Sequence, residues 1–74
     1  MKHLKDFVIV NGQEYLVSTT FTMDRGLETM VFKSKDGEVI DWIEEYARYY
    51  DTIDESIKGH EDIIKYLRLY LACN

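Results

Sequence analysis

The 74-residue chain is 46% apolar and has ten aromatic residues, which predicts a single domain, 1–74, with one hydrophobic core. Its lone cysteine, Cys73, excludes an internal disulfide and fits a reducing compartment. The net charge of −5 disfavours direct binding to nucleic acid, and no apolar run reaches the length of a membrane-spanning helix, so we expect a cytoplasmic protein.

The first predicted elements are two strands joined by a tight turn. Residues 7–10 are apolar and mostly β-branched, and Asn11-Gly12 favours the positive φ angles of a type I′ hairpin turn. Residues 14–22 alternate with a period of two, which is typical of a strand. The residues on one face of this second strand are Tyr15, Val17, Thr19 and Phe21.

A third strand is predicted over residues 27–34, after a turn at 23–26. Its odd-numbered residues, from Leu27 to Val31, share one face, and Met30 and Phe32 share the other. We expect Met30 and Phe32 to supply the core beneath a helix. Lys35-Asp36-Gly37 then indicates another turn, because glycine readily adopts a left-handed conformation.

The sequence is ambiguous over residues 38–50. Residues 39–42 fit a continuing strand or a loop, and 46–50 fit a last strand in which Tyr46, Arg48 and Tyr50 share a face. A short helix over 42–49 is the competing interpretation. We favour a strand that ends near Tyr50.

A long amphipathic helix is predicted over residues 52–72. Thr52 and Glu55 match a capping box, in which each side chain covers an unpaired backbone N–H at the helix start. An apolar stripe follows at helical spacing and lies within about 40° of one line on a helical wheel, so we expect it to be buried. The stripe consists of Ile53, Ile57, His60, Ile64, Leu67 and Leu71.

A second stripe lies beside the first and contains Gly59, Ile63, Tyr66 and Tyr70. It fits two interpretations. Gly59 would let the helix backbone approach the sheet, so the stripe could pack within the chain. Alternatively, Ile63, Tyr66 and Tyr70 would form a surface for self-association, which makes a homodimer one of the expected states.

Together these elements predict an α+β fold. It is an antiparallel three- to four-stranded β-meander, over about residues 6–50, packed against one long C-terminal α-helix, over about 52–72.

No catalytic, cofactor-binding or metal-binding group is expected. The stretch from His60 to Ile64 begins like a zinc-protease helix, but Ile64 stands where that motif requires a second histidine. His60 fits a histidine that is hydrogen-bonded at the edge of the core. We therefore expect a protein that is not an enzyme and that needs no cofactor or metal.

Residues 36–62 carry ten of the fourteen acidic residues and two basic ones, a net charge of −8. The ordinary interpretation is a solvated surface, and the functional one is a site for a protein with a basic surface. Aromatic residues are interspersed with these acids, and tyrosine and tryptophan are enriched at protein interfaces. The candidate partner-binding residues are Asp41, Trp42, Glu44, Glu45, Tyr46, Tyr49 and Tyr50.

One further pattern spans about residues 28–64. It comprises the run 28–32, then Asp36-Gly37 with Val39 and Trp42, then Arg48-Tyr49, Asp51-Thr52 and Gly59-His60-Glu61. This string resembles small uncharacterised proteins encoded by phages and prophages of Gram-positive bacteria. The resemblance implies a phage or prophage context in a host cytoplasm and implies no particular chemistry.

Two functional hypotheses follow. The first is a small acidic protein that binds a host or phage protein, with inhibition of a nucleic-acid-binding defence component of the host as its narrower form. The second is a self-associating structural or accessory phage protein that has no anti-host role.

Overall fold

Alternating residues in the first half of the chain form an antiparallel meander. Its strands are β1 (Leu4–Val10), β2 (Gln13–Thr22) and β3 (Gly26–Lys35) in the computed structural model, which describes residues 3–22 and 26–71, with the backbone alone at Tyr70 and Leu71. The turn between β1 and β2 has φ angles of 50° at Asn11 and 80° at Gly12, which confirms the predicted type I′ geometry. The first three residues of the turn predicted at 23–26 lie outside the described residues. Cys73 and the predicted helix end at 72 also lie outside them.

Two short strands share the remaining edge of β3. The strand β4 (Glu38–Val39) pairs with the end of β3 across the turn at Asp36-Gly37, and β5 (Tyr46–Tyr50) pairs antiparallel with its first half. The chain thus builds a four-stranded meander whose fourth strand is interrupted. This resolves the ambiguity over 38–50, and the competing helix over 42–49 is wrong.

The interruption is a long bulge. The Ile40 N–H donates to Lys33 O at 3.0 Å, and the Glu45 N–H donates to Val31 O at 2.7 Å. Between these two bonds β3 contributes only Phe32, whereas the opposite strand contributes residues 41–44. Extra residues on one strand leave the ladder and re-aim their side chains. We call residues 41–45 the bulge segment.

The helix α1 (Ile53–Tyr66) follows β5 after two residues and continues as a π-helical segment over Leu67–Leu71. Thr52 caps it as predicted, because its side-chain oxygen accepts from the Glu55 N–H at 3.1 Å. The reciprocal contact differs from the predicted capping box. The Glu55 carboxylate accepts from the Thr52 hydroxyl at 3.0 Å, where a backbone N–H was expected.

The buried face of the helix is rotated by about 60° from the predicted stripe, at 100° per residue. Ile53 and Ile57 are 51% and 43% exposed, so the prediction that they are buried is wrong. The buried face combines two residues from each predicted stripe with Ser56, which belongs to neither. Its residues are Ser56, Gly59, His60, Ile63 and Leu67.

The helix covers one face of the sheet. The core on that side contains Val8, Val10, Val17, Val31, Ile63 and Leu67. Strand alternation places Met30 and Phe32 on the opposite face, so the prediction that they lie beneath the helix is wrong. The predicted fold class is confirmed, since an antiparallel meander packs against one C-terminal helix.

Gly59 of α1 lies directly against the Tyr50 side chain of β5. An added Cβ there would lie 2.5 Å from Cζ of Tyr50 and nearer still to two other atoms of that side chain. The Tyr50 ring cannot easily move away. Its hydroxyl donates to Thr29 Oγ1 at 2.9 Å, and the Arg48 guanidinium lies 5.6 Å from its ring centroid.

We expect Thr52→Ala to lower the free energy of unfolding by about 1 kcal/mol, because the Glu55 N–H loses its acceptor. Thr52→Ser keeps the hydroxyl and should cost only a few tenths of a kcal/mol. Urea unfolding followed by circular dichroism measures both values. Equal losses for the two variants would contradict the cap.

We expect Gly59→Ala to destabilise the fold by about 1–3 kcal/mol through overpacking against Tyr50, although alanine favours helix by up to about 1 kcal/mol. Lys58→Ala, at an exposed neighbouring position, is the control and should change stability by less than about 0.5 kcal/mol. Tyr50→Ala should make the Gly59→Ala cost smaller in the double variant. A stabilised Gly59→Ala variant would refute the close approach.

Candidate functional site

The bulge segment divides the predicted partner-binding residues between the two faces of the sheet. Trp42 folds over the face opposite the helix, where its ring meets Phe32 edge-to-face with centroids 5.4 Å apart. Tyr49 lies on that same face, because it pairs with Glu28. Asp41 and Glu44 are exposed on the bulge segment. The seven predicted residues therefore do not form one patch.

Three of the predicted residues meet on the helix side. Tyr46 of β5 stacks on Tyr66 of α1, with ring centroids 6.1 Å apart and ring planes 27° apart. Glu45 adjoins this pair at the end of the bulge segment. Together with Tyr15 and Leu67 these residues line a hollow of about 280 Å³, which we call the tyrosine hollow.

Two of the remaining predicted site residues, Ile63 and Tyr50, pack within the fold. Ile63 is 3% exposed and belongs to the core, so it cannot line a self-association surface on the folded chain. Tyr50 is half-buried against Gly59. The side chain of Tyr70 lies outside the described residues.

A lysine and a carboxylate set the charge beside the tyrosine hollow. Lys33 Nζ lies 3.2 Å from Glu45 Oε1, and both side chains are about two-fifths exposed. The hydrogen bond to Glu45 and the negative charge of that carboxylate raise the pKa of the Lys33 ammonium above its ordinary value. Solvent screens an exposed pair of this kind, so it contributes little to stability and another cation can replace Lys33 at low cost.

The arrangement suits a cationic side chain. Tyrosine rings attract a positive charge at their faces, and aromatic walls with a nearby carboxylate are the recurring means of binding alkylated ammonium groups and guanidinium groups. The volume lies just below the range of about 300–1,000 Å³ of small-molecule pockets, which fits one side chain better than a cofactor.

The face of the sheet opposite the helix, which we call the open face, has an apolar row across its strands. The register aligns Phe7, Leu16 and Phe32, and Trp42 extends the row. Leu16 and Phe32 are buried within the row, whereas Phe7 and Trp42 are exposed. Ile9 is also exposed on this face and borders a shallow hollow that Ile40 shares.

His60 joins the helix to the sheet through a chain of hydrogen bonds. Its Nε2 lies 2.7 Å from Asp6 Oδ2, and its Nδ1 lies 2.6 Å from Thr19 Oγ1. Thr19 also contacts the Thr29 hydroxyl, which accepts from Tyr50. The hydroxyls of Tyr50, Thr29 and Thr19 can each donate once in the direction of His60 Nδ1, and the ring then presents its Nε2–H to Asp6. The expected hydrogen-bonded histidine at the core edge is confirmed.

The order Asp6, His60, Thr19 matches a carboxylate, an imidazole and a hydroxyl in a catalytic triad. Thr19 is 0% exposed, however, so its hydroxyl cannot reach a substrate in this structure. The hydrogen bonds instead hold α1 at a fixed height above β1 and β2. No sequence signal could have paired Asp6 with His60, because 54 residues separate them.

Within the described part of the chain, no three His, Cys, Asp or Glu side chains cluster in a way that could hold a metal ion. Across residues 3–22 and 26–71, none of the helical segments has the length and hydropathy that spanning a bilayer requires.

Comparison with protein-family models, with curated proteins and with solved structures gives no match for this chain. The proposed function therefore rests on the two surfaces described above, the tyrosine hollow and the open face.

We expect His60→Ala to lower the free energy of unfolding by about 2–4 kcal/mol, because it opens a cavity and removes one of the two hydrogen-bond partners of the buried Thr19 hydroxyl. Asp6→Asn should cost less than about 1 kcal/mol, since an amide oxygen still accepts from Nε2–H at a half-exposed position. Chemical unfolding measures both variants. Equal losses would contradict the larger structural role assigned to the contact of His60 with Thr19.

Proposed function

We propose that this chain is a non-enzymatic binding protein that receives an arginine or lysine side chain of a partner protein in the tyrosine hollow. The single observation that supports this function is the meeting of Tyr15, Tyr46 and Tyr66 beside the Glu45 carboxylate. Tyr15 lies on β2, Tyr46 on β5 and Tyr66 on α1, and Glu45 is the last residue of the bulge segment, directly before β5. The fold therefore builds the hollow, and no short segment contains it.

The hollow would supply two kinds of attraction. A cation over a tyrosine ring gains about 0.5–2 kcal/mol, with the larger value where water is excluded. A guanidinium also donates two parallel hydrogen bonds to a carboxylate, which fixes its orientation. Lys33 competes for Glu45, and the incoming cation would displace it at small cost because the pair is exposed.

The distribution of charge favours a basic partner at longer range. Nearly all of the acidic residues between 36 and 62 are exposed, and Glu45 lies within that segment. A field of one sign raises the rate at which an oppositely charged protein arrives. The partner would thus be attracted by the whole segment and anchored at the hollow.

A narrower form of the proposal concerns biological context. The resemblance to phage and prophage proteins suggests a role in the host cytoplasm, with a host or phage protein as the partner. A host defence component that binds nucleic acid is a fitting target, because its basic site would accept an acidic surface in place of phosphate groups.

The alternative is a self-associating structural or accessory phage protein. The open face favours this second candidate, because it exposes apolar residues that the helix leaves uncovered. The two candidate functions use different surfaces.

The tyrosine hollow is tested with a blocked peptide that has one arginine between two glycines, titrated while the tyrosine ring protons are followed by NMR. We expect shifts at Tyr46 and Tyr66. We expect Glu45→Gln to weaken binding by at least about tenfold, because it removes the charged acceptor. Lys33→Gln should tighten binding, since it removes the competing ammonium.

Glu44→Gln is the matched control, because it makes the same change in net charge at an adjacent exposed residue that does not line the hollow. It should change binding by less than about twofold. Equal losses of affinity for Glu44→Gln and Glu45→Gln would show that the peptide is attracted by long-range charge and not by the hollow. Weaker binding to Lys33→Gln, or equal binding of a peptide with neutral citrulline, would refute a cation site.

A further inference from the structure

We propose that the open face of the sheet is the interface of a homodimer in which two sheets pack face to face. A second copy of this chain is the occupant, and the dimer has four layers, with a helix outside each sheet. The proposal is independent of the tyrosine hollow, which lies on the helix side.

The composition of the open face is the first observation. An antiparallel sheet that is covered on one side normally presents polar residues to water on the other. Here the row formed by Phe7, Leu16, Phe32 and Trp42 crosses that face. Ile9 and Trp42 are 71% and 73% exposed, and Tyr49 is exposed farther along the same face. A row of this kind resembles the inner face of a β-sandwich.

The size of the face is the second observation. The strands β2 and β3 have ten residues each, and the sheet is four strands wide. At about 3.3 Å per residue and about 4.8 Å between strands, the face covers about 600 Å². Two copies would bury about 1,200 Å², which is the lower limit for a specific protein interface.

Charge identifies the occupant as a second copy. Among the strand residues described on this face, three are charged, and two of them are withdrawn from the surface. The Glu14 carboxylate accepts from the Ser34 hydroxyl and the Gly37 N–H, and Glu28 is buried. Lys5 remains exposed beside Phe7. Two acidic chains can therefore meet here without opposing carboxylates.

The position of Lys5 adds complementarity. It lies on β1 at one edge of the sheet, whereas Asp41 and Glu44 lie on the bulge segment at the other edge. A two-fold axis parallel to the strands would place β1 of each copy over the bulge segment of the other. The interface would then be self-complementary, with Lys5 of each copy near carboxylates of its partner.

The test is sedimentation velocity on the full chain up to about 1 mM, a range in which even a weak dimer is detectable. Trp42, the one tryptophan of the chain, is an internal reporter. We expect a dimer whose fluorescence emission lies at shorter wavelength than that of the diluted monomer, because the indole loses water contact. Ile9→Lys and Tyr49→Lys should each weaken the dimer at least about tenfold.

Leu69→Lys is the matched control, because it places the same charge at an exposed apolar residue on the helical side. It should leave dimerisation unchanged, and circular dichroism verifies the fold of each variant. Tyr66→Lys places a charge in the second helix stripe, which the sequence predicted as a surface for self-association. It therefore distinguishes a dimer formed through that stripe from one formed through the open face. A monomer at all concentrations with unchanged Trp42 emission, or a dimer weakened by Tyr66→Lys and not by Ile9→Lys, would overturn the proposal.

Discussion

The close approach of α1 to the sheet at Gly59 and His60 determines which residues of the chain face each other and which face water. Gly59 presents no side chain to the Tyr50 ring, and His60 reaches two strands at once through Asp6 and Thr19. Small and polar residues therefore occupy the centre of the buried helix face, and the larger Ile53 and Ile57 rotate outward. The same rotation carries Tyr66 to the edge of the sheet, where it stacks on Tyr46. The tyrosine hollow is thus a consequence of how the helix is seated.

The interface between helix and sheet contains a buried polar network beside its apolar core. A line of hydroxyl groups at Thr19, Thr29 and Tyr50 lies beneath the helix, whereas Leu16 and Phe32 are buried on the other face. A buried hydrogen-bonded network specifies one arrangement of the helix, because a shifted helix would leave these groups unpaired. It contributes less hydrophobic stabilisation than aliphatic packing would. The exposed apolar residues of the open face could supply further hydrophobic stabilisation if another surface covered them.

Local signals in the sequence predicted most of the fold. Asn11-Gly12 and Asp36-Gly37 encode left-handed turns, the alternation over 14–22 encodes a strand, and Thr52 starts the helix. The error in the buried stripe has a physical cause. By hydrophobicity, Ile53 and Ile57 are better candidates for burial than Ser56 and Gly59. In the fold, however, the helix residues that face the sheet are those that are small enough for close contact with Tyr50 or that can hydrogen-bond to Thr19. A helical wheel contains only the helix residues, so it cannot show these contacts.

The candidate sites were harder to predict, because both depend on pairings between distant residues. Glu45, Tyr46 and Tyr66 were recognised individually, but their meeting with Tyr15 requires the register between β2, β3 and β5. The division of the aromatic patch depends on the bulge segment, since leaving the ladder for four residues sends Trp42 to one face and Glu45 toward the other. A composition rich in acids and aromatics cannot reveal such a division.

The bulge segment also connects the two surfaces physically. Trp42, near the start of the segment, contacts Phe32 on the open face. Glu45, at the end of the segment, borders the tyrosine hollow. Packing of a second copy over Trp42 would hold the segment against Phe32 and so restrict the positions that Glu45 can adopt. Both hollows of such a dimer lie on its outer sides, because each is on the helix side of its own sheet. A partner with two suitably spaced basic side chains would then gain affinity from simultaneous contact, and the gain would depend on the fixed separation of the hollows as well as on the strength of either one.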